Sequence, residues 1–147
     1  MIISYSNARD EIFKQFGTVL SAVSTLLTYT PEIIYQGVET GAKMPTDKLW
    51  MRVSQQTITE EQAGPKADAV RRYTSDGLVF VQLFIAKTKV ENYAIGTQVA
   101  QLVKTAFRGK QTTGCIWFRN VRIQELPSED AWYRLNVVSE YQYDEIS

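Results

Sequence analysis

The sequence predicts an α+β fold: a mainly antiparallel β-sheet packed by two α-helices, with a long extended loop or arm between two strands. Three observations predict it. Two segments repeat apolar residues every three to four positions, the period of one helix face. Five segments alternate, or run apolar, in the manner of strands. Between two of those strands lies TEEQAGPKADAVRRYTSDG, Thr59 to Gly77, a run of 19 residues where a hairpin turn takes about two to five. The 147 residues suit one domain spanning 1–147.

The first element, SNARDEIFKQFGTVLSAVSTLLT, reads as one helix with its stripe at Ile12, Phe16, Val19, Val23 and Leu26. Ser6 or Asn7 suits its N-terminal cap, and Asp10 and Glu11 suit the positive end of its dipole. Gly17 is expected to mark a close helix contact, and Pro31 ends the element. EIIYQGV is a short strand, and ETGAKMPTDK a loop. In LWMRVSQQTITE, Leu49, Met51 and Val53 face one way and Trp50, Arg52 and Ser54 the other. In LVFVQLFIA both faces are apolar, which predicts a central strand covered on both sides. The second helix, TKVENYAIGTQVAQLVKTAFRGK, opens on capping-box spacing at Thr88 and Glu91. Its stripe is Ile95, Val99, Leu102, Val103 and Ala106, and Gly109 closes it. CIWFRNVRIQEL and AWYRLNVVSEYQY then form a hairpin through PSED. Tyr133, Leu135, Val137, Tyr141 and Tyr143 share one face of the last strand.

Composition excludes several chemistries. There is no histidine, so the usual general base and the commonest metal ligand are missing. The one cysteine, Cys115, allows no internal disulfide and reads as a small core residue. No apolar run approaches the roughly 18 residues that span a bilayer, so no membrane partner is expected. The glycines of YQGVETGAK lack the lysine and hydroxyl of a phosphate loop. The acidic pairs Glu60–Glu61, Glu129–Asp130 and Asp144–Glu145 point to opposite faces if they lie on strands. No catalytic, metal or cofactor residues emerge, and no enzymatic activity is expected.

Net charge is zero but uneven. Lys87 to Gln124 carries seven bases and one acid; Glu125 to Ser147 carries six acids and one base. Either the two regions pair as neighbouring strands, or opposite charges mark opposite faces for head-to-tail association. The stretch FRGKQTTGCIWFRNVR offers Phe107, Trp117 and Phe118 for base stacking, with Arg108, Lys110, Arg119 and Arg122 for phosphates. The plainer reading is a strand with core aromatics and exposed cations.

The element order, the strand motif Gly77, Val81, Gln82, Leu83, Phe84, and the closing Trp132, Tyr133, Tyr141 and Tyr143 resemble the tail terminator proteins of long-tailed bacteriophages. The resemblance covers roughly residues 6 to 144 and is structural in character. It implies a virion protein forming a ring, typically a hexamer, assembled in the host cytoplasm. Such a ring caps the tail tube, stops its polymerisation and joins the tail to the head connector. Its partners would be its own copies, the tail tube protein and a neck protein, with DNA only passing through the lumen. The alternative is another neck, head-completion or tail adaptor protein. The family pattern does not account for the insert. Its four acids and three bases suit pairing across a subunit boundary, and Glu60, Glu61, Arg71 and Arg72 are expected to contact a neighbouring subunit or the tube.

Overall fold

A computed structural model describes residues 3–38, 44–62, 72–129 and 131–146. Their order is α1 (Tyr5–Gly17), α2 (Leu20–Leu27), β1 (Glu32–Tyr35), β2 (Trp50–Gln62), β3 (Arg72–Ala86), α3 (Asn92–Phe107), β4 (Trp117–Leu126) and β5 (Trp132–Ile146). The strands form one sheet in the order β1-β2-β3-β5-β4. Only β1 and β2 run parallel; the other pairs are antiparallel. The expected α+β class and mainly antiparallel sheet are therefore present.

The first helix differs from expectation: it is two helices, so three pack the sheet. The break follows Gly17. Thr18 turns its hydroxyl back onto the Gln15 carbonyl at 2.7 Å, competing with the backbone ladder as such side chains do. β-branched Val19 then starts a new helix with no side-chain cap. Of the expected stripe Ile12, Phe16 and Val23 are buried across the break, Val19 and Leu26 only partly, and Leu27 in place of Leu26 enters the core. Gly17 makes no close contact, since a Cβ added there meets nothing within 4 Å. The cap of α1 is Ser4, not Ser6 or Asn7; its hydroxyl accepts from the Asn7 amide. Glu11 is beyond the first turn, and its carboxylate instead accepts from Thr112 at 2.7 Å. That bond fastens the turn before β4 to α1. The capping box at Thr88 and Glu91 does not form: α3 has no side-chain cap.

All three helices lie over one face of the sheet. Val79, Val81, Leu83 and Ile85 of β3 and Leu135, Val137, Tyr141 and Tyr143 of β5 form the floor of this core. Val99, Val103 and Phe107 of α3 and Ile12 and Phe16 of α1 cover it. Gly96 lets α3 approach closely, because a Cβ there would stand 2.3 Å from the Ile85 side chain. β3 is central, as its two apolar faces predict, but the described helices cover only one face; on the other Leu78 and Phe80 stay half-buried. On the helix-free face, Trp50 and Phe84 are register partners and stack at 3.9 Å. Trp132 stands edge-on to both and donates to the Pro45 carbonyl. The Arg52 guanidinium lies 5.6 Å and 5.5 Å from the two ring centres, a favourable cation–π distance.

Candidate assembly surface

The largest departure from the sequence reading concerns Thr59 to Gly77. The strands do not stop at its borders. β2 continues to Gln62 and β3 begins at Arg72, with Thr59–Gln62 paired to Asp76–Tyr73 across a bulge at Ile58. β5 pairs with the same part of β3 as far as Ile146. What reads as loop is, over its flanks, a three-stranded extension of the sheet. Residues 63–71 lie outside the described residues, and with them Arg71.

Asp76 and Gly77, residue types that favour turns, both lie inside β3. Thr57, Gly77 and Tyr141 occupy one row across β2, β3 and β5. Glu60, Ser75 and Tyr143 occupy the next row on that face. In each row a tyrosine ring crosses a small residue. A Cβ on Gly77 would stand 2.4 Å from both the Tyr141 ring and the Gln56 carbonyl oxygen. Tyr141 reaches Thr57 beyond it by a side-chain hydrogen bond, and Tyr143 bonds Ser75. The two rings stack, 6.0 Å apart and 15° from parallel. Gly and Ser in Ser75-Asp76-Gly77 thus make room for the rings of Tyr141-Gln142-Tyr143, an aromatic cover over a strand glycine. The extension is held by its own subunit.

Burial pushes the Tyr143 hydroxyl up to about 12; the Ser75 bond opposes this, and Tyr141, Glu145 and Glu60 reinforce it. Tyr141 is raised by the same dominant cause. A raised pKa means that the folded state holds its proton more tightly than the unfolded chain. The associated stability is complete below pH 10, the ordinary tyrosine value, and is lost as pH rises toward 12. Denaturant midpoints should be flat up to pH 10 and fall steeply above it. Tyr143→Phe should flatten that fall; an unchanged fall would remove Tyr143 from the explanation.

The four expected contact residues are placed unequally. Glu60 and Glu61 are both exposed. They point to opposite faces, Glu60 with Ser75 and Tyr143, Glu61 with Thr74 and Asp144. Arg72 is described only by its backbone, at the start of β3. Gln56 to Glu61 form an exposed run that includes Ile58 at 54%. Among the described residues, β1 pairs β2 only from Trp50 to Val53. Beyond Gln55, whose amide donates to Gln36, no described residue pairs with the outer edge of β2. Open edges are templates for further pairing.

The uneven charge closes in part within the sheet, where Arg119 and Arg122 reach Glu140 of the acidic segment. β4 and β5 are neighbours, and Arg119 meets both Asp76 and Glu140, at 3.4 Å and 3.6 Å. Arg122 meets Glu140, and Arg134 meets Glu129. The stacking reading of Phe107 and Phe118 is corrected. Both are buried in the core, with their rings 5.0 Å apart. Of that trio only Trp117 is exposed. Cys115 is not a strand residue either; it occupies a left-handed turn position, half-buried, just before β4.

Sequence reasoning missed a second exposed surface, at the opposite end of the sheet. Val90 is 98% exposed, and Tyr93 and Tyr133 rest edge-to-face at 5.3 Å. With Lys87, Lys89 and Leu126 they line a shallow cavity of about 610 Å³. Tyr133 does share the core face of β5, but at its rim, where Tyr93 at the start of α3 covers it only in part. Among the described residues no three His, Cys, Asp or Glu side chains gather to hold a metal. No described helix is long and apolar enough to cross a membrane.

No protein-family model and no curated protein matches the sequence. Solved structures do share the fold. One, known only by a sequence identifier, is 18% identical over 91% of this chain and 94% of its own, with a TM-score of 0.57. A chain from the virion of a native gene transfer agent particle is 16% identical over 96% of this chain and 99% of its own, with a TM-score of 0.49. At 18% identity the first likeness is one of fold alone.

Proposed function

We propose that the protein is a structural virion component that joins its own copies, in all six, into a ring. The ring caps the phage tail tube, ends tube polymerisation and joins the tail to the head connector. The observation that carries this reading is the extension of β2 and β3. It is anchored by the Tyr141 and Tyr143 rows, yet it presents exposed Ile58 and a strand edge that no described residue pairs. An isolated subunit gains nothing from either feature, whereas a neighbour that covers them gains apolar burial and backbone hydrogen bonds. The resemblance of the element order and of the Gly77–Phe84 strand to tail terminators supplies the tail context. A heterologous contact repeated by rotation closes a ring, and a closed ring offers no edge to a further tube subunit. Glu60, Glu61, Arg71 and Arg72 supply charged contacts to a neighbouring subunit or to the tube. DNA passes through the lumen and needs no specific grip.

Removing the gene tests the role. Abnormally long tails are expected, because nothing then stops the tube. Tails of normal length that fail to attach to heads would instead assign the protein to the neck, the second reading that the same resemblance supports.

A further inference from the structure

We infer that the hairpin end of one subunit docks head-to-tail on the Val90–Tyr93–Tyr133 patch of the next copy. This rests on the ring reading and names the receiving surface. The two surfaces are complementary in kind. The hairpin end offers apolar Ile58 with Glu60 and Glu61 beyond it, all exposed. The patch offers Val90, Tyr93 and Tyr133 flanked by Lys87 and Lys89, with no acid among its described lining residues. The Lys87 ammonium already lies 5.1 Å from the Tyr133 ring centre, and among the described residues no carboxylate pairs with it. A paired carboxylate–ammonium contact at the rim of an apolar core favours one partner and one register.

The two surfaces cannot meet within one chain. Glu60 pairs with Ser75 near the start of β3, and the patch begins just past Ala86 at its end. At roughly 3.3 Å per residue that separation is about 35 Å along a rigid strand. Each copy therefore carries one donor end and one acceptor end. Contacts between unlike ends propagate, and they close when the rotation between copies allows.

Disulfide trapping tests this in a Cys115→Ser background, which removes the only native thiol. Ile58→Cys and Val90→Cys are placed in separate chains and mixed under mild oxidation. The mixture should form a covalent dimer at least tenfold faster than Ile58→Cys mixed with Gln98→Cys, an exposed control on α3. The double variant should give a ladder of covalent oligomers. In parallel, Lys87→Glu with Lys89→Glu should abolish assembly, and adding Glu60→Lys with Glu61→Lys should restore it. A wild type that assembles, yet shows no trapping above the control and tolerates the lysine reversal, overturns this docking and leaves the ring intact. A wild type that stays monomeric overturns both.

Discussion

Gly77→Val is expected to cost at least about 3 kcal/mol, the upper end of overpacking penalties. That is a large share of the roughly 5–15 kcal/mol by which domains of this kind are stable. The reason is placement. The new side chain would enter the space of the Tyr141 ring on one side and a backbone oxygen, that of Gln56, on the other. A ring can rotate away only by leaving Thr57, and the β2 backbone can move only by opening the ladder. Two other glycines calibrate the effect. Gly96→Ala meets the Cδ1 and Cγ1 of Ile85, side chain rather than backbone, so a loss of about 1–2 kcal/mol is expected. Gly17→Ala meets nothing and should stabilise α1 by about 0.5–1 kcal/mol. Urea denaturation of the three variants checks the order. If Gly77→Val proved as mild as Gly96→Ala, the tyrosine rows would not be holding the hairpin.

The second large effect is on assembly. Replacing Glu60–Ser75 by Asn-Gly joins Thr59 to Asp76, which are already register partners, through a turn suited to two-residue hairpins. The subunit loses the Ser75–Tyr143 bond and the Thr74–Asp144 bond, each worth about 1 kcal/mol. It should therefore stay folded, with an intact helix-covered core. Assembly should be lost, because both glutamates leave together with the strand edge beyond Thr59. Circular dichroism combined with light scattering separates the outcomes. A folded truncated protein that still forms the wild-type oligomer would remove the hairpin from the interface.

Much of this fold is legible in the chain. The alternation of Val79, Val81, Leu83 and Ile85 and the stripe of α3 identify the core, because burial on one face imposes a period that survives any tertiary detail. The break at Thr18 and Val19 is not legible, since the stripe from Ile12 to Leu26 runs through it and hides it. Ser75-Asp76-Gly77 misleads for a different reason. Small and polar residues favour turns locally, and only the cross-strand register shows that Gly77 and Ser75 are small because tyrosines lie over them. For the candidate surface, composition singled out Glu60 and Glu61, because a charged insert between apolar strands stands out. Val90, Tyr93 and Tyr133 come from three different elements, and their exposure depends on where the helices end. No local pattern carries that information.

Ring formation is tested most directly by native mass spectrometry of the purified wild-type protein, with electron microscopy of the same sample. The expected result is one closed assembly of six subunits, alone or on tail tubes. A protein that remained monomeric at high concentration, and also in the presence of tail tubes, would contradict it.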